Sequence, residues 1–234
     1  MEVYFLSGLG ADKTVFQFLN LDYCKPIFID WIPPQKSESL PQYALRLKNE
    51  FIPDDAFLIG LSFGGMLAAE IAKQYPQIKT ILISSSKTKN EIPGFYKIAK
   101  YLPLHHSFPG GGHKWLMMRM EKLFGLKNAD SIKIYKELIK SSDPVFNRWA
   151  IDAIVNWSNT ELPPNTIHIH GTHDHVLPYK NVKCNFTIKK GGHLMIMEQA
   201  DIISQMLKDI ITAQTFNKSV LSSSASRFDR LYQA

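Results

Sequence analysis

The sequence predicts an α/β protein with a mostly parallel sheet of six strands and helices on both faces. Short β-branched or apolar runs alternate with segments of helical periodicity, which is typical of such a layered fold. The short runs are nearly continuous in hydrophobicity, as strands buried on both faces are. With 234 residues, 45% of them hydrophobic, the chain can form one large core.

The strands are expected where β-branched and aromatic residues cluster between turn residues. These runs are residues 3–6, 26–29, 57–60, 80–83, 166–169 and 186–188. Helical spacing of apolar residues is found at residues 40–51, 64–75, 144–157 and 194–213. Strand and helix patterns therefore follow one another in nearly regular order.

Residues 87–143 interrupt this order. The segment has no convincing strand pattern but contains helical patterns at 115–124 and 131–139. We therefore expect a helical insertion between two parts of one core, residues 1–86 and 144–213. Residues 214–234 lack a core pattern and include a serine-rich stretch, so they are predicted to be a peripheral C-terminal tail.

Positive charge is concentrated in the insertion. Between Lys87 and Lys140 there are eleven Lys or Arg and four acidic residues, a local net charge of +7, whereas the whole chain carries +6. The lysines are spread through an apolar helical pattern, so no nucleic-acid partner is expected. Two interpretations stay open: solvated helix faces, or a positive rim that attracts an acidic substrate.

The first residues and the cysteines indicate the cellular setting. Met1 is followed by an acidic residue, Glu2, and a strand pattern, without a basic leader. No run approaches the roughly 18 apolar residues of a membrane span. The two cysteines, Cys24 and Cys184, have no metal-ligand spacing. We expect reduced thiols, a cytoplasmic location and no membrane partner. The sequence does not indicate an oligomeric state.

A glycine-flanked serine is the first candidate for chemistry. Ser62 lies in Gly60-Leu61-Ser62-Phe63-Gly64, after a strand pattern and before a helical one. Small neighbours allow a tight strand-to-helix turn that exposes the hydroxyl beside the N–H groups of the helix. The motif also occurs by chance, so its strand-and-helix context is what indicates a nucleophile.

A serine nucleophile requires a base and a group that orients the base. Asp174 follows the fifth strand pattern and His193 follows the sixth. Because the carboxyl ends of parallel strands meet at one edge, we expect both residues to lie near Ser62. Asp143 and Asp152 are alternative acids, although Asp152 lies within a helical pattern.

An oxyanion hole requires backbone N–H donors near the nucleophile. The Phe63 N–H directly follows Ser62, and the turn Ser7-Gly8-Leu9-Gly10 after the first strand can present the Leu9 N–H. The same glycine-rich turn also fits an ordinary strand-to-helix connection.

Together these segments resemble the α/β-hydrolase superfamily in its short, helical-capped branch. The resemblance covers about residues 2–212 and is carried by the segments 5–10, 60–65, 170–178 and 191–193. It implies a serine esterase-like enzyme with Ser62 as nucleophile, His193 as general base and acid, Asp174 as orienting acid, and Leu9 and Phe63 as oxyanion donors. It also implies a small carboxylic ester or thioester as substrate, cleaved through an acyl-enzyme without cofactor or metal. C–C hydrolases and lyases share this fold and triad.

By the same resemblance, residues 87–143 are the cap. His105, His106 and Met118 within it are candidates for substrate contact, and its basic, apolar composition favours a small carboxylated acyl substrate. The chain departs from the family pattern in two ways. Ser7 stands where the family often has histidine, and the family's first two strands are missing.

Two alternative functions stay open. His168, His170, His173 and His175 lie with Asp174 within eight residues, and imidazole is a favoured ligand of zinc and iron. This run resembles the signature of metallo-β-lactamase-type hydrolases, except that a threonine replaces its aspartate and the strands alternate with helices. The second alternative is a non-catalytic ligand-binding protein on the same fold, against which an intact serine, histidine and acid argue.

Overall fold

Six strands form one sheet in the computed structural model of the chain, which describes residues 1–94, 115 and 117–212. The strands are β1 (Glu2–Leu6), β2 (Lys25–Ile29), β3 (Phe57–Leu61), β4 (Lys79–Ile83), β5 (Thr166–Gly171) and β6 (Phe186–Ile188). Their order is β2-β1-β3-β4-β5-β6, and every neighbouring pair is parallel. The predicted fold class is confirmed, since each predicted strand is present and the sheet has the expected direction.

Helices flank the sheet on both faces, as the sequence predicted. They are α1 (Leu40–Phe51), α2 (Phe63–Gln74), α3 (Ala129–Ser141), α4 (Pro144–Val155), α5 (Met195–Glu198) and α6 (Ala200–Thr212). The prediction of one helix over residues 194–213 was wrong, because α5 ends at Glu198 and the backbone of the next residue, Gln199 (φ −129°, ψ 40°), leaves the helical region. Apolar spacing continues across this break, so periodicity alone did not indicate it.

The described part of the insertion departs from one predicted helix. Met117 and Met118 are helical, but residues 121–125 form turns instead of completing the helix predicted over 115–124. Gly125 ends the segment with a φ of +80°, a conformation that glycine adopts without strain. The second predicted helix, over 131–139, lies within α3.

Alternate strand residues face two separate apolar layers, as the twofold period of a strand requires. Val3 and Phe5 of β1 face a layer that includes α3 and α6, whereas Tyr4 and Leu6 face the layer that includes α1, α2 and α4. Helix α3 of the insertion therefore packs on the same face of the sheet as α6. None of the helices among the described residues combines the length and apolar character needed to cross a bilayer.

Candidate active site

Ser62 occupies a strained turn between β3 and α2. Its backbone has φ 51° and ψ −115°, a left-handed conformation that L-residues rarely adopt. Glycines allow this turn, since a Cβ on Gly60 would lie 2.5 Å from the Gly64 carbonyl oxygen. The turn is held by the end of β4 and the residues that follow it. The Ile83 carbonyl oxygen accepts the Ser62 N–H (2.9 Å), and the Ser85 hydroxyl, two residues beyond β4, donates to the Ser62 carbonyl oxygen (2.7 Å).

The side chains of Ser62, His193 and Asp174 lie in one line of hydrogen bonds. Ser62 Oγ is 2.9 Å from His193 Nε2, and His193 Nδ1 is 2.8 Å from Asp174 Oδ2. Because a carboxylate only accepts, the Nδ1 atom carries the proton and the Nε2 atom of the neutral ring accepts from the serine hydroxyl. The arrangement can therefore transfer the hydroxyl proton to His193.

Two backbone donors fix the Asp174 carboxylate. Its Oδ1 atom accepts the N–H groups of Val176 (2.9 Å) and Leu177 (2.8 Å), which leaves Oδ2 for His193. Burial by itself raises the pKa of Asp174. The hydrogen-bonded His193 ring, the nearby His170 ring and the Leu177 N–H together outweigh it, so the pKa lies below its usual value. Asp174 is therefore ionised at neutral pH and can stabilise a protonated His193.

The glycine turn after β1 lies directly beside Ser62. A Cβ added to Gly8 would be 3.5 Å from the Ser62 Cβ. The Ala11 carbonyl oxygen closes the turn by accepting the Ser7 hydroxyl (2.8 Å) and the Trp31 indole N–H (2.9 Å). The Ser7 side chain thus ties the turn to itself.

The two predicted oxyanion donors flank this contact. Leu9 lies in the turn and Phe63 is the first residue of α2. The backbone bonds that hold the two turns together use other N–H groups: Gly64 donates to the Ser7 carbonyl oxygen (3.0 Å) and Ala11 donates to Gly8 (3.1 Å). The Leu9 and Phe63 N–H groups are not the donors of these bonds.

A small cavity of about 40 Å³ adjoins Ser62 and His193. Its apolar wall includes Val15, Met117, Phe124, Tyr135, Leu138 and Ile139. The Tyr135 hydroxyl donates to the Met117 carbonyl oxygen (2.6 Å), so its proton is already engaged within the protein. Apart from His193, the described lining residues include no charged or titratable group other than this phenol.

The insertion also supports the loop that carries His193. The Phe124 ring contacts the His193 ring edge-on, with 5.6 Å between centroids. The Phe124 carbonyl oxygen accepts the Leu194 N–H (3.0 Å). Gly125 and Gly192 approach so closely that a Cβ on Gly125 would lie 2.6 Å from the Gly192 Cα. The two segments are therefore in direct backbone contact.

The residues predicted to contact substrate have different outcomes. His105 and His106 lie outside the described residues. Met118 is half-buried and packs against the apolar core, and it is its neighbour Met117 that lines the cavity. Sequence reasoning missed Tyr135, Leu138 and Ile139, although their spacing of three and four along α3 places them on one face of a helix.

The alternative acids have other positions. Asp143 caps α4 by accepting the Val145 N–H, and Asp152 lies within α4.

The four clustered histidines differ in exposure: His168 and His170 are fully buried, whereas His173 and His175 are exposed. Within residues 1–94, 115 and 117–212, no group of three or more His, Cys, Asp or Glu side chains is arranged to hold a metal ion.

Comparison with solved structures places this site in a known fold. A thermophilic esterase from Thermogutta terrifontis matches with a TM-score of 0.71 and 18% identity, over 91% of this chain and 90% of that one. A meta-cleavage product hydrolase from Pseudomonas fluorescens IP01 matches with a TM-score of 0.65 and 17% identity, over 92% of this chain and 91% of that one.

An enol-lactonase from Burkholderia xenovorans LB400 matches with a TM-score of 0.66 and 14% identity, over 90% of this chain and 91% of that one. No protein-family model matches the chain, and neither does any curated protein. At these identities the likeness concerns the fold, and the chain therefore has the α/β-hydrolase fold.

Proposed function

We propose that this protein is a serine hydrolase that cleaves small carboxylic esters or thioesters through an acyl-enzyme. The observation that carries the proposal is the line of hydrogen bonds from Ser62 Oγ through His193 to Asp174 Oδ2, with separations of 2.9 and 2.8 Å. A pure binding protein has no need for a strained serine aligned with a base. Esterases, a lactonase and a C–C hydrolase among the structural neighbours support hydrolysis as the reaction class.

In the proposed mechanism, His193 Nε2 takes the Ser62 hydroxyl proton while Oγ attacks the carbonyl carbon. The Leu9 and Phe63 N–H groups stabilise the oxyanion. His193 then gives its proton to the leaving oxygen or sulfur, which departs and leaves the acyl-enzyme. Water, deprotonated by His193, attacks this ester and releases the acid as the proton returns to Ser62.

The cavity supports a short, neutral acyl group as the substrate feature. A space of about 40 Å³ holds roughly three water-sized groups, which fits an acyl chain of about two to four carbons. A carboxylate in this apolar space would lose its hydration without gaining a cationic partner among the described lining residues. We therefore propose a short, neutral acyl group for the described part of the cavity. The carboxylated acyl substrate that the basic insertion favoured stays a prediction, because residues 95–114 of the insertion lie outside the described residues.

We also propose that residues 87–143 act as the cap over the site, with α3 supplying one wall of the acyl cavity. Residues 95–114 and 116 of this segment, and the tail at 214–234, lie outside the described residues. Cytoplasmic location stays a prediction. It is consistent with the free thiols of Cys24 and Cys184, neither of which is in a disulfide.

The first experiment measures hydrolysis of p-nitrophenyl acetate, butyrate and octanoate, together with labelling by a serine-reactive phosphonate. We expect turnover of the two short esters and one adduct, at Ser62. Ser62→Ala should abolish both, whereas Ser158→Ala, which removes an exposed serine hydroxyl, should change neither. No turnover and no adduct in the native protein would reject the proposal.

A chelator distinguishes the metal alternative. Loss of ester hydrolysis on incubation with EDTA, with recovery on addition of zinc, would favour the histidine run at 168–175 over the serine mechanism. Cleavage of a vinylogous 1,5-diketone in place of esters would reassign the same residues to C–C hydrolysis.

A further inference from the structure

His170 lies directly beneath the loop that carries Asp174. Its side chain is on β5 and is fully buried. The Nε2 atom is 2.8 Å from the Leu177 carbonyl oxygen and 3.5 Å from Asp174 Oδ2. The proposed mechanism gives this ring no role. Burying an imidazole costs free energy unless the ring is hydrogen-bonded.

Hydrogen bonding determines the tautomer of His170. A carbonyl oxygen only accepts, so Nε2 carries the proton. Burial lowers the pKa of His170, so the ring is neutral and its Nδ1 atom is an acceptor. His168 Nε2 lies 3.3 Å from that Nδ1 atom and must act as the donor. The two rings therefore form one ordered pair with the His170 N–H directed at the acid loop.

The Leu177 peptide links His170 to Asp174. Its carbonyl oxygen accepts from His170, and its N–H donates to Asp174 Oδ1 at 2.8 Å. The His170 N–H also lies near Asp174 Oδ2, although 3.5 Å is an electrostatic contact and not a full hydrogen bond. The ring thus contacts both the carboxylate and the peptide group that orients it.

We propose that His170 is a positioning residue for the catalytic triad: by holding the Leu177 peptide it keeps the Asp174 carboxylate in the orientation that bonds to His193. The effect on turnover rests on the proposed function, whereas the effect on the Asp174–His193 hydrogen bond does not. His170 touches no reacting atom and acts only through Asp174.

The kinetic test compares His170→Leu, which fills space but has no donor, with His170→Gln, whose amide N–H can reach the same carbonyl oxygen. We expect His170→Leu to lower kcat roughly 10-fold with little change in KM, because the acid is misplaced while the substrate cavity is intact. His170→Gln should recover most of that loss. His173→Gln, which changes an exposed histidine of the same loop, is the control.

An unchanged kcat in a folded His170→Leu protein would overturn the proposal. So would equal losses in the Leu and Gln variants, because the donor would then not be the property that matters.

Proton NMR tests the same inference without turnover. The His193 Nδ1 proton shared with Asp174 should give a low-field resonance in the native protein that is lost or moves upfield in His170→Leu and persists in His170→Gln. If the native protein hydrolyses no ester but shows this pattern, the proposed function fails and the positioning role stands. A resonance identical in all three proteins would overturn the role.

A measurement on the unmodified chain covers the case in which His170→Leu does not fold. Nitrogen-15 NMR of labelled histidine should find His170 with its proton on Nε2. A proton on Nδ1 would overturn the proposal, since Nε2 could not then donate to Leu177.

Discussion

The Ser85 hydroxyl donates a hydrogen bond to the Ser62 carbonyl oxygen at 2.7 Å, across 23 residues of sequence. Ser85 is fully buried, and Gly65 approaches it so closely that an added Cβ would collide with its side chain. The strained serine that follows β3 is therefore supported by the segment that follows β4. The geometry that exposes the Ser62 hydroxyl therefore depends on Ser85 as well as on Ser62 itself.

Replacing Ser85 by alanine should lower the free energy of unfolding by about 1–2 kcal/mol, the usual cost of losing a buried hydrogen bond. The measurement is urea unfolding followed by circular dichroism. Ser86→Ala is the matched control, because the Ser86 hydroxyl is buried without a partner among the described residues. Removing it should leave stability unchanged or raise it. Equal destabilisation by both substitutions would contradict the supporting role of Ser85.

Ser62→Gly should be more stable than Ser62→Ala by about 1 kcal/mol. Both variants lack the hydroxyl and should be inactive, but only glycine adopts a φ of 51° and a ψ of −115° without strain. The difference in midpoint between their thermal unfolding curves measures that strain. Identical midpoints would mean that the turn at Ser62 stores no backbone strain.

Ile139→Ala should shift the acyl-chain preference toward longer esters. Removing this buried side chain opens the cavity wall, and each methylene accommodated contributes about 0.8 kcal/mol. Room for two methylenes therefore raises the hexanoate-to-butyrate ratio of kcat/KM roughly 15-fold. The substitution also lowers the free energy of unfolding by about 2–4 kcal/mol, so the assays are run well below the Tm of the variant.

Ile132→Ala provides the control for this prediction, because Ile132 lies on the same helix and packs against the core without lining the cavity. It should lower stability but leave the ester ratio unchanged. A similar ratio change in both variants would show that the effect comes from a loosened helix.

Stability should fall as the pH drops below about 6.5, because the unfolded chain takes up protons at histidines that the folded protein keeps neutral. Burial lowers the pKa of His170 and, with the neighbouring His170 ring, that of His168 well below its usual value. Each such ring contributes a slope of up to about 1.4 kcal/mol per pH unit.

His168→Leu should remove one of these slopes in urea unfolding between pH 6.5 and 5. His173→Gln controls for the loss of an exposed histidine. Asp174 acts in a lower window, because its lowered pKa gives stability that is present above about pH 3.9 and is lost as the pH falls through the folded value. If the free energy of unfolding has the same pH dependence between pH 6.5 and 5 in the native protein and in His168→Leu, His168 contributes no slope and this prediction is refuted.

Strand positions were predictable because buried parallel strands are short apolar runs, and the order of Ser62, Asp174 and His193 followed from placing each after a strand. Side-chain direction was not predictable from periodicity. Met117 and Met118 both pack half-buried against the core, but of the two only Met117 lines the cavity. Contacts between distant loops, such as Ser85 with Ser62, have no local sequence signal because the fold alone creates them.

The contact between Phe124 and the His193 loop limits how this protein can be engineered. Replacing the whole insertion with one from another protein of the α/β-hydrolase fold would change the cavity. It would also remove the Phe124 ring that contacts His193 and the Phe124 carbonyl oxygen that accepts the Leu194 N–H. Chimeras that change substrate range should therefore exchange the segment up to Met117 and retain Phe124 and Gly125 with the recipient's histidine loop.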